Sequence, residues 1–142
     1  MKLKHFIFGI IIIIIDQLTK FLMINQNIIV IPNLLKFSYT ENTGGAFGIG
    51  ENAIILFASI ILIIGIIFFI IKQNKAITNY IPITLILFGS IANLIDRIFR
   101  GYVIDFIDVN IFNFPNFNIA DICIVLGIVA LIINIFIHCK SK

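Results

Sequence analysis

Residues 81–99 read IPITLILFGSIANLIDRIF, an apolar run that becomes charged only towards its end. Its length is close to the roughly 20 residues that an α-helix needs to cross a hydrocarbon core of about 30 Å. Three other stretches, at about residues 6–24, 53–71 and 119–137, have similar length and composition. We therefore predict an all-α membrane protein with four transmembrane helices.

The composition agrees with this fold class. The chain has 142 residues, of which 61% are hydrophobic and 12% charged, unlike an ordinary soluble domain. Little chain remains outside the four stretches, so we predict one integral membrane domain over residues 1–142 with no separate soluble domain. The net charge of +3 does not come from a clustered basic patch, and we expect no binding to nucleic acid.

The distribution of charge predicts the orientation. Lysines flank one set of predicted helix ends: Lys2, Lys4, Lys72, Lys75, Lys140 and Lys142. By the positive-inside rule, this face and both termini are cytoplasmic. The acidic residues lie at or near the opposite face: Asp16, Glu41, Glu51, Asp96, Asp105, Asp108 and Asp121.

The two predicted outer loops, residues 25–52 and 100–118, have different patterns. In the first loop, Leu35, Phe37 and Tyr39 alternate with polar residues, which is typical of a half-buried strand. Residues 28–31 are its predicted partner, which gives a small extracytoplasmic β-sheet. The second loop mixes phenylalanine with asparagine, and we interpret it as a surface loop that places aromatic rings among lipid headgroups.

Residues 42–47 (NTGGAF) form a polar turn rich in glycine that is followed by an aromatic residue. Glycine permits positive φ and close backbone approach, while the Asn42 amide can donate and accept hydrogen bonds. Such a turn is also common in loops that have no functional role.

Two aspartates interrupt the apolar chain near the predicted outer face. Asp105 lies in residues 101–108 (GYVIDFID) and Asp121 in residues 117–121 (FNIAD). Ionisable groups at a bilayer edge are costly to keep, so each indicates a functional site. Singly, Asp105 can be a loop acid and Asp121 a helix N-terminal acid. Two carboxylates that converge instead predict acid–base hydrolysis by a pair that shares one proton.

Two further pairs of polar residues belong to the same region. Asp16 and Lys20 are four residues apart, as are Asn93 and Arg97, so each pair lies on one side of a helix. A structural ion pair explains the first, and contact with another helix or with headgroups explains the second. A role at the site explains each of them equally well.

Five short motifs resemble, in order and position, those of the bacterial lipoprotein signal peptidase family (signal peptidase II). They are D-x-x-T-K (16–20), N-T-G-G-A-F (42–47), N-L-I-D-R (93–97), G-x-V-x-D-F-I-D (101–108) and F-N-x-A-D (117–121). The resemblance covers nearly the whole chain, including the four spans and their orientation. One departure is Ala92, which precedes Asn93 where family members usually carry glycine.

The resemblance implies an aspartic endopeptidase, multi-pass in the bacterial plasma membrane, with its active site at the extracytoplasmic face. It would remove the signal peptide of a prolipoprotein on the amino side of a diacylglyceryl-modified cysteine. Asp105 and Asp121 would be the catalytic pair. Substrate-binding or supporting roles are implied for Asp16, Lys20, Asn42, Gly45, Asn93, Arg97 and Asn118. The expected partners are the lipid-modified precursor and membrane lipids, and we expect a monomer without cofactor or metal.

The main alternative is a small membrane transporter or proton-relay subunit that uses the polar residues as a path. A conduction path should reach the inner leaflet, where Asn134 alone offers a polar side chain. A zinc peptidase is a second alternative, but the two histidines, His5 and His138, both lie at the predicted cytoplasmic face and no H-E-x-x-H motif occurs. A non-enzymatic lipid-binding scaffold would leave the paired aspartates unexplained.

Overall fold

Four helices and a three-stranded antiparallel sheet make up the part of the chain that the structure describes. The structure is a computed structural model and describes residues 3–44, 58–66, 68, 80–111 and 114–140. In chain order the elements are α1 (Leu3–Leu22), β1 (Asn27–Ile31), β2 (Leu35–Asn42), α2 (residues 58–66), α3 (Ile81–Phe99), β3 (Val103–Val109) and α4 (Ile119–Lys140).

The helices match the predicted apolar stretches closely. Helix α3 begins and ends at the predicted residues, α1 begins and ends slightly earlier than predicted, and α4 extends a little further. The predicted span at residues 53–71 lies partly outside the described residues, and its described part is helical. Among the described residues, α1 and α3 are long and apolar enough to cross a bilayer.

Helix α3 lies between α1 and α4 and carries much of the buried surface. Leu87 and Phe88 form an apolar core with Ile63 of α2. On the α1 side, a Cβ at Gly9 would lie 2.3 Å from the Phe88 ring, so glycine is needed for this contact. On the α4 side, a Cβ at Gly89 would lie 2.8 Å from the carbonyl oxygen of Ala120. The three helices therefore pack closely because small residues occupy these crossing points.

The predicted hairpin is confirmed. Strands β1 and β2 pair antiparallel, with Ile28 opposite Phe37, and residues 32–34 form the turn. Asn33 has φ 60°, a left-handed conformation that asparagine tolerates. Phe114 of the second outer loop is 58% exposed, whereas Phe112 and Asn113 of the predicted aromatic segment lie outside the described residues.

The interpretation of residues 103–109 as part of a loop was wrong. These residues form β3, which pairs antiparallel with β2 and places Asp105 opposite Thr40. The first four residues of β3, Val103 to Phe106, are all buried. Because both faces of this part of the strand are packed, the sequence does not alternate between apolar and polar residues and the pattern of a half-buried strand is missing.

A glycine turn sets β3 beside the polar end of α3. The Arg100 N–H donates to the Asp96 carbonyl at 2.8 Å, and Gly101 follows with φ 81°. A left-handed residue just after a helix is a common way to end it, and glycine adopts this conformation without strain. The turn therefore brings β3 beside α3, where the Ile104 N–H, next to Asp105, donates to Asp96 Oδ2 at 3.4 Å.

We expect Gly89→Ala to destabilise the protein by about 1–3 kcal/mol, because the added methyl group meets the backbone of α4 rather than a movable side chain. The matched control is Gly65→Ala in α2, where a Cβ has no neighbour within 4 Å. There alanine should be neutral or stabilising by up to about 1 kcal/mol through its helix propensity. Thermal unfolding in detergent measures both variants. Equal melting temperatures for the two would contradict close α3–α4 packing.

Candidate active site

Neutral amide groups surround the carboxylate of Asp105. This side chain is 2% exposed. The Asn42 amide donates to Asp105 Oδ2 at 2.7 Å, and the Asn118 amide donates to Asp105 Oδ1 at 2.6 Å. Asn42 ends β2 and Asn118 directly precedes α4. Two strands and the start of a helix therefore meet at this carboxylate.

Asp121 lies in the first turn of α4, as predicted, and forms a reciprocal cap with Asn118. The Asn118 backbone N–H donates to Asp121 Oδ2 at 3.1 Å, and the Asp121 backbone N–H donates to Asn118 Oδ1 at 3.0 Å. This is the arrangement of a capping box. The Asn93 amide donates to Asp121 Oδ1 at 2.8 Å. Both carboxylate oxygens of Asp121 therefore accept hydrogen bonds at the positive end of the helix dipole.

Asn118 joins the two aspartates. Its side chain is fully buried. Its amide contacts Asp105, while its backbone N–H and its side-chain oxygen contact Asp121. The structure thus brings together the two carboxylates that the sequence analysis paired.

The surroundings of Asp105 favour its protonated form. Burial raises the pKa of Asp105 to about 6, and the nearby charge of Asp121 acts in the same direction. The hydrogen bonds from Asn42 and Asn118 lower this pKa, but they only partly offset the burial. A carboxyl group with a pKa in this range can exchange a proton near neutral pH.

Lys20 is completely buried, and its ammonium has three partners. Its Nζ lies 2.8 Å from Asp16 Oδ2 and 2.8 Å from Asp96 Oδ2, and it donates to Asn93 Oδ1 at 2.9 Å. The predicted pairing of Asp16 with Lys20 is therefore confirmed, and Asp96 is a second acidic partner. Because the Asn93 oxygen accepts from Lys20, the NH₂ group of Asn93 is directed at Asp121.

Asp16 also contacts the start of α4. The Ala120 backbone N–H donates to Asp16 Oδ1 at 2.8 Å, in a completely buried position. Helix N-terminal N–H groups lack partners within their own helix, so a carboxylate from α1 satisfies one of them. Asp16 therefore couples α1 to the turn of α4 that carries Asp121.

Gln17 and Arg100 extend this region, and the sequence analysis did not assign them to the site. Arg100 Nη1 forms an ion pair with Asp96 and donates to Gln17 Oε1 at 3.0 Å. Gln17 Nε2 donates to Asp96 Oδ1 at 2.9 Å. The four-residue spacing of Asp96 and Arg100 is a signal that identifies Arg100 as a partner. No local pattern indicates the role of Gln17, because its acceptor is 79 residues away.

Two predicted site residues, Arg97 and Gly45, have no described hydrogen bond to either aspartate of the dyad. Within the described residues, the guanidinium of Arg97 makes one hydrogen bond, to the Asn93 carbonyl at 3.4 Å. Its charge faces Asp121, Asp105 and Asp96 without a direct ion pair. Gly45 lies outside the described residues.

No group of three His, Cys, Asp or Glu side chains in the described ranges is arranged to hold a metal ion. The two carboxylates of Asp105 and Asp121 and the amides of Asn42, Asn93 and Asn118 form the centre of the described site, and a network of cations with two further carboxylates lies beside it. Such an arrangement can position a water molecule and move protons between oxygen atoms.

Comparisons with known proteins agree on one family. The model of the signal peptidase (SPase) II family matches residues 8–137. The chain is 38% identical to a lipoprotein signal peptidase of Clostridium novyi, over 94% of this chain and 95% of that protein. It is 34% identical to one of Staphylococcus aureus, over 100% of this chain and 96% of that protein. A solved structure of a bacterial membrane enzyme is similar, with a TM-score of 0.84, 32% identity, and coverage of 98% of this chain and 91% of that one. The chain therefore belongs to the signal peptidase II family.

Proposed function

We propose that the protein is an aspartic endopeptidase that removes signal peptides from prolipoproteins. It cuts on the amino side of a cysteine that carries a diacylglyceryl group. One observation carries the proposal: two carboxylates, joined by Asn118, occupy the centre of the described polar site in a member of the signal peptidase II family. The family match favours a peptidase over the transporter alternative.

In the first step, the ionised aspartate takes a proton from a water molecule whose oxygen attacks the scissile carbonyl carbon. The protonated aspartate gives its proton to the carbonyl oxygen, which yields a neutral gem-diol. We assign the starting proton to Asp105, because its pKa is raised to about 6 and its carboxyl group is almost completely buried. Asp121 is then the general base, supported by the helix dipole and by donors on both oxygens.

In the second step, the gem-diol collapses and the C–N bond breaks. Asp121, which gained a proton in the first step, gives it to the leaving amine, while Asp105 takes a proton back from a gem-diol hydroxyl. The products are a new carboxyl end on the signal peptide and a free amino group on the modified cysteine. The dyad returns to its singly protonated state.

Neighbouring polar groups align the substrate backbone around this dyad. The guanidinium of Arg97 has N–H donors that its contact with the Asn93 carbonyl does not use. Carbonyl oxygens near the scissile bond are suitable acceptors. Gly45, which lies outside the described residues, has a supporting role in substrate binding by its match to the family motif.

The reaction takes place at the outer face of the bacterial plasma membrane. Four helices cross the bilayer in one domain, with both termini in the cytoplasm. Large apolar side chains near the site support this placement: Phe21 of α1 is 65% exposed and Phe99 of α3 is 81% exposed. Membrane lipid surrounds these rings. The acyl chains of the substrate can therefore stay in the hydrocarbon beside them while the scissile peptide bond reaches the aspartates. The protein acts as a monomer.

We expect Asp105→Asn and Asp121→Asn each to lower kcat by about 10²–10⁴-fold, because an amide keeps the size of the side chain but cannot share a proton. The assay is mass-spectrometric mapping of the cut in a diacylglyceryl-modified precursor. The matched control is Asp108→Asn. Asp108 lies in β3, like Asp105, and its carboxylate pairs with the exposed Lys36 at 3.0 Å. This variant should stay within about twofold of the original. Near-normal turnover by either dyad variant would refute the assignment.

The pH dependence follows from the raised pKa of Asp105. Asp105 holds its proton below a pH of about 6 and loses it as the pH rises through that value. We therefore expect kcat/KM to fall above this pH, by about tenfold per further pH unit. In Asn42→Ala, the carboxylate loses a donor that lowers its pKa, so this alkaline limb should move to higher pH.

The control for the pH measurement is Asn116→Ala. The Asn116 amide donates to the Thr40 hydroxyl at 2.7 Å and makes no hydrogen bond to a carboxylate in the described part of the chain. Its alkaline limb should coincide with that of the unmodified protein. A limb that stays unchanged in Asn42→Ala, or that moves equally in both variants, would contradict the role of the Asn42 hydrogen bond.

Cleavage should require the lipid on the substrate. Each buried methylene contributes about 0.8 kcal/mol to membrane placement, so two acyl chains dominate recognition. An unmodified precursor, or one with its cysteine replaced by serine, should be cut very poorly. The measurement is kcat/KM for matched peptides with and without the diacylglyceryl group. Equal values would favour a general membrane aspartic protease instead.

A further inference from the structure

Three cations and four carboxylates meet in the described part of the site. Lys20, Arg97 and Arg100 are the cations. The carboxylates are those of Asp16, Asp96, Asp105 and Asp121. If the dyad keeps one proton, the positive and negative charges are equal in number. The charge balance therefore depends on each cation, including Arg100, which has no role in the function proposed above.

Within this set, four residues form a neutral unit that we call the charged cluster: Asp16, Lys20, Asp96 and Arg100. Asp16, Lys20 and Asp96 are completely buried, while Arg100 is 28% exposed at the outer edge of the cluster. A buried charge is strongly unfavourable unless an opposite charge compensates it. Asp96 has two cationic partners, Lys20 and Arg100, and needs both if Lys20 is also to neutralise Asp16.

The cluster is connected to the dyad through one amide. Lys20 uses two of its three N–H groups on Asp16 and Asp96 and the third on Asn93 Oδ1. This contact and the hydrogen bond that the Asn118 amide donates to the same oxygen at 3.2 Å together direct the NH₂ group of Asn93 at Asp121. If the amide reversed, its oxygen would face the Asp121 carboxylate and repel it. Lys20 is the charged and shorter of the two donors to the Asn93 oxygen, so the hydrogen bond from Asn93 to Asp121 is weakened when Lys20 withdraws its third N–H group.

We propose that Arg100 is a positioning residue that neutralises Asp96 from the outer side, so that Lys20 retains its hydrogen bond to Asn93 and Asn93 keeps its N–H on Asp121. Gln17 holds Arg100 in place, since its oxygen accepts from Arg100 and its NH₂ donates to Asp96. The proposal rests on the function proposed above. It assigns to Arg100, which lies outside the dyad, an influence on the ionisation of the dyad. Without Arg100, the buried cluster carries a net negative charge, and Lys20 is drawn towards its two carboxylates.

The groups that face the dyad come from several elements. Helix α1 contributes Asp16 and Lys20, and α3 contributes Asp96, Arg97 and Arg100. Glu41 lies at the exposed end of β2, where it accepts from the Tyr39 hydroxyl at 2.8 Å. Arg100→Gln keeps every other titratable group of this set, so a change in the titration of the dyad reports the loss of one positive charge and the shift of Lys20 that follows from it.

The test compares variants of Arg100 that differ in charge. Arg100→Gln should lower kcat by about tenfold, the loss expected for one hydrogen bond to a charged group, while KM changes by less than about twofold. The alkaline limb of kcat/KM should move to higher pH, because the loss of a nearby positive charge favours the protonated form of the dyad. Arg100→Lys keeps the charge and should restore kcat to within about threefold of the original.

A double variant provides the second arm of the test. In Asp96→Asn/Arg100→Gln, the cluster is again neutral, since Asp16 and Lys20 remain paired. Arg100→Gln should then lower kcat by less than about twofold in the Asp96→Asn background, compared with about tenfold in the unmodified protein. The two substitutions are therefore expected to be non-additive. This variant and Arg100→Lys carry the test if Arg100→Gln alone fails to fold. The matched control is Lys36→Gln, which removes a surface cation paired with Asp108 and should leave kcat and the pH profile unchanged.

An infrared titration of the protonated carboxyl band, without substrate, separates this inference from the proposed function. If the unmodified protein does not cleave the lipid-modified precursor, the proposed function fails. The titration still reports whether Arg100→Gln, and not Lys36→Gln, shifts the dyad. An unchanged titration and kcat in Arg100→Gln would overturn the inference. Equal impairment in Arg100→Lys and Arg100→Gln would also overturn it, as would additive losses in the double variant.

Discussion

The buried ammonium of Lys20 is the constraint on which the rest of the described polar site depends. Removing an ammonium from water costs several kcal/mol unless every donor is satisfied. Its three partners, Asp16, Asn93 and Asp96, come from α1 and α3. These two helices therefore cannot slide or rotate relative to each other without breaking a buried hydrogen bond. Apolar packing brings the helices together, but it tolerates several registers, whereas this ammonium allows one.

The same carboxylates that neutralise Lys20 also position the segments that carry the dyad. Asp16 accepts the Ala120 N–H at the start of α4. Asp96 Oδ2 lies 3.4 Å from the Ile104 N–H, next to Asp105 in β3. Each carboxylate thus has one contact with the ammonium and one with the backbone beside a dyad residue. The locations of Asp105 and Asp121 follow from the ion pairs, although neither aspartate contacts a cation among the described residues.

Much of the fold could be predicted from the sequence, since apolar length predicts helices and alternation predicts β2. The pairing of Asp16 with Lys20 followed from their spacing on one helix. Strand β3 was missed because it is packed on both faces and lacks alternation. The capping box of Asn118 and Asp121 has a recognisable local pattern, N-x-x-D, that indicates a helix start. Gln17 has no such pattern, because its contacts exist only once α1 and α3 are packed.

The separation of cations from the dyad has a chemical consequence. The described contacts of Asp105 and Asp121 are with neutral amides and backbone N–H groups, whereas Lys20 and Arg100 contact Asp16 and Asp96. A cation in direct contact would lower the pKa of a carboxyl group by about 1–3 units. Such a carboxyl group would lose its proton at a lower pH than Asp105, whose pKa is raised to about 6. Amides instead orient the two carboxylates without removing that proton. The cations are separated from the dyad by an intervening residue, such as Asn93 between Lys20 and Asp121. From this distance they offset part of the repulsion between the two carboxylates.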